Sequence, residues 1–304
     1  MAEQVGIQTL DSNQIRTATS VSVVIPAYNE ERAIADDIRA VISTMDNAGI
    51  PCEVIVVDDG STDGTRRICE QLPVRLVSHP YNKGGGAARK TGIRQAKGDI
   101  VVITDGDGTY PIKEIPQMLA LMDSYDMVIG ARKCESGTYR LLRRPAKAFL
   151  RLLASFIVGR KIPDLNSGMR VFRRELALQY FYILPDGHSW VSTISLAFLT
   201  NGLSVKYFPI DYYPRKGRSS FRPVQDSAAM GLQIIRSVMY FRPLRVFLPI
   251  GLLLLVLGVV RSVYDATRLL HIKESDIIIM LTAVIVITIG LLADLIVKMT
   301  KVRS

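Results

Sequence analysis

The chain has 304 residues, enough for one large domain or two smaller ones with a sizeable core. Its apolar content of 48% and mean hydropathy of +0.22 are high for a soluble protein, and its formal net charge of +10 favours anionic partners. Its three cysteines form neither a zinc-site pattern nor a disulfide framework, which fits a reducing compartment. Residues 1–20 form a polar tail, and we expect no signal peptide there.

From Val21 onward the sequence alternates apolar strands with amphipathic helices. VSVVIPAY, CEVIVVDDG, VRLVSHP and DIVVITDGDG predict four strands in this order. The segments between them have helical spacing, for example NEERAIADDIRAVISTMDNAG. Because the strands are continuously apolar and separated by helices, they predict an α/β fold with a mostly parallel sheet and helices on both faces.

Polar side chains directly follow three of these strands. Tyr28 to Glu30 follow the first strand, Asp58 and Asp59 the second, and the stretch ITDGDGTYP ends the fourth. Ligands of such sheets bind at the carboxyl ends of the strands, so we expect these groups at one edge. The DG-DG pattern is typical of a tight turn. Its two carboxylates, Asp105 and Asp107, could also hold Mg²⁺ or Mn²⁺ together with substrate phosphates, and the residues alone leave both readings open.

The middle of the chain is strongly basic. Between Arg132 and Arg174 there are twelve Lys or Arg residues and only two acids, Glu135 and Asp164. Within it, RRPAKAFLRLLASFIVGRK has apolar positions at helical spacing, which indicates a helix lying in a membrane interface or, alternatively, a solvated surface helix. Residues 223–243 form a second, juxtamembrane amphipathic candidate. These bases lack interleaved aromatic residues for stacking, so we expect no nucleic-acid partner.

Two apolar runs lie within residues 244–304, at about 246–263 and 277–297, and each has the length that crosses a bilayer. They predict a transmembrane hairpin whose polar link is YDATRLLHIKESD. Basic residues flank both runs, at Arg242, Arg245, Lys298, Lys301 and Arg303. By the positive-inside rule, both chain ends and the α/β domain would face the cytoplasm. Asp294 is expected to snorkel to the interface or to pair with a base near Arg245.

Five motifs, in this order along the chain, resemble those of family 2 glycosyltransferases with the GT-A fold. They are VVIPAYNE, VVDDGSTDGT, NKGGGAARKTGI, ITDGDGTYP and NSGMRVFRR. The similarity is greater to polyprenyl-phosphate glycosyltransferases, such as dolichol-phosphate mannose synthase and its bacterial undecaprenyl-phosphate relatives with a two-helix membrane anchor. It implies a Rossmann-like GT-A domain over residues 21–222, followed by the hairpin.

The resemblance also implies roles for individual residues. Donor-binding positions would be Pro26, Tyr28, Glu30, Val57, Asp59, Asp105, Gly106, Asp107 and Arg215, of which Asp107 and Arg215 would be catalytic. Asp105 and Asp107 match the pair that holds a divalent cation, Mg²⁺ or Mn²⁺. Thr109 stands where a known family member has a glutamine as a further metal ligand. Acceptor-phosphate positions would be Arg132, Arg144, Lys147 and Ser219. Ser220 stands where the family usually has a lysine.

These matches imply that a sugar is transferred, with inversion, from a nucleotide sugar to dolichyl or undecaprenyl phosphate. As the donor, a UDP-sugar is preferred over GDP-mannose. Because a lipid phosphate is largely ionised near neutral pH, positioning and charge neutralisation would supply most of the catalysis. A processive polysaccharide synthase is one alternative, although the sequence has no QxxRW motif. A non-catalytic membrane scaffold is the other. Similar hairpin proteins can form tetramers, so a homo-oligomer is compatible with the resemblance.

Overall fold

The computed structural model describes residues 20–133, 152, 155–156, 158–187, 189–215, 239–240, 243–269 and 273–302. Its strands are β1 Val21–Ala27, β2 Cys52–Asp58, β3 Arg75–Ser78, β4 Ile100–Ile103, β5 Met127–Arg132, β6 Arg170–Arg173 and β7 Val205–Ile210. They form one seven-stranded sheet in the order β3-β2-β1-β4-β6-β5-β7. The N-terminal tail and most of the two predicted amphipathic helices, over 143–161 and 223–243, lie outside the described residues.

The helices that bear on the site and the hairpin are α1 Ile34–Asn47, α2 Thr65–Glu70, α3 Gly85–Gln95, α4 Ile115–Ala120, α5 Arg174–Leu178, α6 Trp190–Thr200, α7 Leu244–Leu269 and α8 Glu274–Val302. The predicted order from β1 to β4, with a helix after each of the first three strands, is confirmed. Strand β1 pairs in parallel with β2 and β4, and β2 pairs in parallel with β3.

Both faces of the sheet are covered, as the apolar strands predict. On one face, Ile25 and Val102 pack with Ile38 of α1 in a fully buried core. On the other face, Val24 and Phe172 pack with residues of α3 and α6. Each strand therefore contributes apolar side chains in both directions, which is why its sequence lacks the alternation of a half-exposed strand.

Strand β6 is the one reversal in the centre of the sheet. It pairs antiparallel with both β4 and β5, and its first residue, Arg170, lies opposite Ile103 at the end of β4. Because β6 runs backwards, the residues that precede it lie at the carboxyl edge of the parallel strands. Gly168 is thereby placed beside Asp105, which follows β4.

Helices α7 and α8 are longer than the predicted spans and contain both of them. Their apolar stretches, Leu244–Arg268 and Glu274–Met299, are long and apolar enough to cross a membrane, and most of their residues are not buried. Most of the residues predicted as the polar link are helical, because α7 continues to Leu269 and α8 begins at Glu274.

Ion pairs join the two helices at the link end of the hairpin. Arg261 pairs with Asp276 at 3.1 Å, and Lys273 pairs with Asp265 at 3.0 Å. At the other end, Asp294 pairs with Lys298 at 2.9 Å, one helical turn away on the same helix. The structure thus pairs Asp294 with a base of its own helix, near the end expected to lie at the interface, and a pairing with a base near Arg245 stays a prediction.

The start of α7 is attached to the sheet domain. Arg245 donates to the carbonyl oxygen of Phe156 at 3.2 Å. Val246 packs against a buried cluster that includes Ile162 and Leu199, the latter in the last turn of α6. The hairpin thus begins at a packed junction with the sheet domain.

We predict that Gly290→Leu destabilises the hairpin. A Cβ atom at Gly290 would lie 2.5 Å from Cβ of Phe247 on α7, too close without separating the helices. Overpacking of this kind costs about 1–3 kcal/mol, so the thermal midpoint of the detergent-solubilised chain should fall. Val284→Leu adds volume at an exposed position of the same helix and serves as the matched control. An equal shift in both variants would contradict the packing described here.

Candidate active site

The carboxyl edge of the sheet brings together charged side chains from distant parts of the sequence. Glu30 follows β1, Asp105 and Asp107 follow β4, and Arg215 follows β7. One carboxylate oxygen of Glu30 forms an ion pair with the guanidinium of Arg215. A second nitrogen of Arg215 lies 3.5 Å from Oδ2 of Asp107. The structure therefore brings these four predicted site residues to one edge, although they span almost two hundred positions of sequence.

The loop after β4 is a tight turn held from both sides. Gly108 has φ of +75°, a conformation that favours glycine, and its N–H donates to the buried Asp37 of α1 at 2.8 Å. The Thr109 hydroxyl donates to Oδ1 of Asp107 at 2.5 Å, and the Thr109 N–H donates to the same oxygen at 3.2 Å. Thr109 therefore orients Asp107, and its hydroxyl hydrogen is already engaged.

Asp105 lies in a different setting from Asp107. Its Oδ1 accepts a hydrogen bond from the Arg89 guanidinium at 2.7 Å, and about a quarter of its side chain (26%) remains exposed. A Cβ atom at Gly168 would lie 2.5 Å from Oδ2 of Asp105, so any larger residue there would have to displace this carboxylate. The Arg89 guanidinium also lies 5.8 Å from the ring centroid of Trp190.

Burial and charge shift the acidities at this edge. Burial, opposed by the charge of Arg215, raises the pKa of Glu30 from 4.5 to about 7. Burial also raises the pKa of Asp107 above its usual value, and the neighbouring charge of Asp105 acts in the same direction. A second positive charge at the edge would lower both pKa values, since opposite charges favour the ionised carboxylate.

Two carboxylates, one of them about a quarter exposed, are a suitable donor set for Mg²⁺ or Mn²⁺. These ions take oxygen ligands and are commonly bound by one or two carboxylates with substrate phosphates and water. Among the described residues no group of three or more His, Cys, Asp or Glu side chains could hold a metal by itself. The pair of Asp105 and Asp107 therefore fits a cation that is completed by a ligand's oxygens.

Asp59, predicted at the nucleotide site, is held by protein donors. Its Oδ1 lies 2.6 Å from Nδ1 of His79 and accepts the N–H of Lys83 at 2.9 Å. Its Oδ2 accepts the N–H of Gly84 at 2.8 Å, just before α3. The carboxylate is 2% exposed, so its visible role is to fasten the loop before α3 to the end of β2.

The remaining residues predicted to bind the nucleotide-sugar donor are buried or half-buried. Pro26 and Val57 lie opposite each other in the β1–β2 register and are buried. Tyr28 is half-buried at the edge. Gly106 is buried, and a Cβ atom there would lie 2.5 Å from Cδ1 of Ile34, which explains the glycine by packing.

One of the residues predicted to bind the acceptor phosphate, Arg132, is engaged in an ion pair with Asp164. The other three, Arg144, Lys147 and Ser219, lie outside the described residues. Arg132 donates through Nε and Nη2 to Asp164 at 2.7 and 2.9 Å, and its side chain is 10% exposed. Although burial alone would raise it, hydrogen bonding and charge from Arg132 hold the pKa of Asp164 below its usual value.

Sequence reasoning missed four residues that shape this edge. They are Asp37, Arg89, Gly168 and Trp190. Asp37 had a readable signal, because it interrupts the buried apolar face of α1 next to Ile38. Arg89 and Gly168 lie within two of the motifs quoted above, NKGGGAARKTGI and NSGMRVFRR, but their proximity to Asp105, like that of Trp190 to Arg89, depends on how α3, β6 and α6 pack.

We predict that Gly168→Ala weakens Mn²⁺ binding at least tenfold, because the added methyl group would displace the Asp105 carboxylate. Binding would be measured from the electron paramagnetic resonance signal of free Mn²⁺, with UDP or GDP present. Gly187→Ala is the matched control, since nothing lies within 4 Å of a Cβ atom there. Unchanged Mn²⁺ affinity in a folded Gly168→Ala variant would contradict this placement of Asp105.

We further predict that Glu30 makes the unfolding free energy of the metal-free protein depend on pH. A carboxyl whose pKa rises from 4.5 to about 7 on folding stabilises the fold at low pH, and that contribution is lost as pH rises through 7. Between pH 6 and 8 the wild-type unfolding free energy should therefore drop by about 1 kcal/mol relative to Glu30→Gln. Thermal unfolding in EDTA would measure this, and parallel curves for the two proteins would contradict the shift.

Comparisons with known proteins identify several relatives. The chain is 31% identical over 255 residues to the glycosyltransferase AglJ of Haloferax volcanii, covering 82% of each chain. It is 33% identical over 223 residues to a dolichyl-phosphate hexose transferase of the same organism, covering 72% of this chain and 94% of the relative. It is 29% identical over 226 residues to the polyprenol monophosphomannose synthase of Mycolicibacterium smegmatis, covering 68% and 82%.

Solved structures of the glucosyl-3-phosphoglycerate synthase of Mycobacterium tuberculosis share the fold. One of them, in complex with Mn²⁺, uridine diphosphate and glucosyl-3-phosphoglycerate, superposes with a TM-score of 0.54 at 26% identity. The superposition covers 73% of this chain and 79% of the other. The observed sheet and its flanking helices are thus those of a GT-A domain.

Two family models account for most of the chain. Residues 22–181 match glycosyl transferase family 2, and residues 242–299 match the GtrB C-terminal hairpin. The first match begins within β1 and extends past β6, so it includes Glu30, Asp105, Asp107 and Gly168. The second coincides with α7 and α8, the two apolar helices. The chain therefore belongs to glycosyltransferase family 2 and is a membrane enzyme with a C-terminal hairpin of the GtrB type.

Proposed function

We propose that the enzyme transfers a sugar from a nucleotide-diphosphate sugar to a polyprenyl phosphate at the cytoplasmic face of a membrane. The observation that carries this proposal is the convergence of Asp105, Asp107 and Arg215 at one sheet edge, in a domain packed against an apolar hairpin. Carboxylates and a guanidinium suit a diphosphate with its cation, and the hairpin suits a lipid acceptor. Relatives named as dolichyl-phosphate and polyprenol transferases support the same acceptor class.

For the donor we propose a UDP-sugar ahead of GDP-mannose. The neighbour of known structure was crystallised with uridine diphosphate and Mn²⁺, which supports a uridine nucleotide and a divalent cation. Asp105 and Asp107 would hold the cation, and Thr109 would keep Asp107 in place. We assign four residues to the nucleotide end of the site. Asp59 fastens the loop before α3 there, and Pro26, Tyr28 and Val57 line it.

The proposed reaction is a single displacement. A phosphate oxygen of the acceptor lipid forms a bond to the anomeric carbon, while the bond from that carbon to the diphosphate oxygen breaks. The electron pair of the broken bond leaves with the nucleoside diphosphate, and attack from the opposite side inverts the anomeric configuration. The bound cation supplies charge neutralisation to the leaving diphosphate. Arg215, which contacts both Glu30 and Asp107, would add a second positive charge there.

For the acceptor phosphate we propose Arg144 and Lys147, with Ser219, as the residues that hold it. Arg132 is paired with Asp164, so we assign it to shaping the acceptor side of the edge.

The proposed organisation keeps a catalytic domain over 21–222, a juxtamembrane segment over 223–243 and a hairpin over 244–304. Basic residues at the outer ends of α7 and α8 support a cytoplasmic position for both termini.

A donor panel tests the proposal most directly. Membranes that contain the enzyme would receive one labelled nucleotide sugar at a time, Mn²⁺ and a polyprenyl phosphate. We expect an organic-soluble, mild-acid-labile lipid-phosphate sugar with one of the donors. Label that enters long polymer would favour a processive synthase, and no transfer with any donor would favour a non-catalytic scaffold.

We predict that Asp107→Asn lowers transfer by at least a hundredfold without unfolding the protein. The change removes one negative charge from the cation site while keeping the side-chain volume, and electrostatic groups at reacting centres are commonly worth this much. Asp46→Asn makes the same chemical change at an exposed position of α1 and should retain full activity. Full transfer by Asp107→Asn would exclude the assignment of Asp107 to the cation.

A further inference from the structure

Each of the two carboxylates proposed for the cation already has a positively charged partner. Asp105 is bound by Arg89 at 2.7 Å, and Asp107 faces Arg215 at 3.5 Å. Arg215 divides its charge between Asp107 and Glu30, whereas the contact of Arg89 is a direct hydrogen bond to Asp105. The two positions therefore differ: Asp105 is compensated by an arginine of its own.

Packing holds Arg89 at this position. It lies on α3, and its side chain is 11% exposed. Its guanidinium lies 5.8 Å from the centroid of the Trp190 ring, and the guanidinium of Arg170 lies 5.6 Å from the same centroid. Trp190 is fully buried, so the indole ring forms a rigid wall behind Arg89.

Arg170 adds a second, deeper positive charge. It is fully buried, and it donates hydrogen bonds to the carbonyl oxygens of Ser167 and Val191 and to the hydroxyl of Ser195. These acceptors are neutral, and the charge of Asp105 acts on Arg170 in the favourable direction. Burial and the nearby charge of Arg89 lower the pKa of Arg170 to about 10. The repulsion between the two arginines favours the contact of Arg89 with Asp105.

A cation that approaches the metal-free edge must compete with this ion pair. It would gain the Asp105 carboxylate only by weakening the Arg89 contact or by tolerating a nearby positive charge. A nucleoside diphosphate removes the conflict. Its negatively charged oxygens can coordinate the cation and also accept hydrogen bonds from the Arg89 guanidinium. Two ligands that relieve each other's unfavourable interaction bind with positive coupling, and the coupling is the same in both directions.

We propose that Arg89 is a positioning residue that occupies Asp105 in the donor-free enzyme, so that the cation binds together with the donor diphosphate and only weakly before it. This inference rests on the cation site of the proposed function and deepens it. In the donor-free state the Arg89 contact also holds Asp105 beside Gly168.

The test compares Mn²⁺ binding in the wild type with Arg89→Gln and Arg89→Met, which are both neutral, and with Arg89→Lys, which keeps the charge. Binding of Mn²⁺ alone, and with UDP or GDP, would be read from the resonance signal of the free ion. Trp190 is the only tryptophan of the chain, so its fluorescence gives a second readout beside Arg89. Thermal unfolding of the full chain in detergent identifies which neutral variant is folded.

We expect a folded neutral variant to bind Mn²⁺ alone about tenfold more tightly than the wild type, with a smaller gain from the nucleotide. Arg89→Lys should stay close to the wild type. Equal or weaker Mn²⁺ binding in the neutral variants, while the wild type still binds Mn²⁺ with nucleotide, would overturn the role of Arg89 alone. If wild type and Asp105→Asn both fail to bind Mn²⁺ with either nucleotide, the cation site itself fails and the inference with it.

Discussion

The candidate active site depends on one constraint: several carboxylates are held close together at the partly buried carboxyl edge of the sheet. Glu30, Asp105 and Asp107 follow two neighbouring parallel strands and repel one another, and burial makes the ionised forms of Glu30 and Asp107 costly. Arg89 and Arg215 offset that cost through their ion pairs with these carboxylates. The fold thus holds an anionic pair ready for a cation and, in the same place, the positive charges that a diphosphate requires.

Backbone geometry makes this arrangement possible at short range. The reversed strand β6 returns the chain to the carboxyl edge, and the lack of a side chain at Gly168 lets it approach Asp105. The loop of Asp107 is fixed by Gly108 and by the buried carboxylate of Asp37 on the first helix. Positions that look like spacers in the sequence therefore determine where both carboxylates point.

The hairpin contributes through its attachment as well as through its apolar surface. Its first helix begins against a cluster that includes Leu199, at the last turn of the helix whose first residue is Trp190. A single helix thus runs from the wall behind Arg89 to the junction with the membrane segment. For an enzyme proposed to join a water-soluble donor to a lipid phosphate, such a junction links the proposed site directly to the segment proposed to enter the membrane.

The sequence by itself determined the parallel strands and their helices, the shared edge of the polar clusters, the two apolar helices and the family. These features depend on local apolar patterning and on motifs whose residues are close together in the chain. The tertiary structure alone decided that β6 runs backwards, that Arg132 is bound by Asp164, and that Thr109 orients Asp107. It also decided that Arg89 meets Asp105, since that contact arises where separate elements pack together, and no local pattern of residues encodes it.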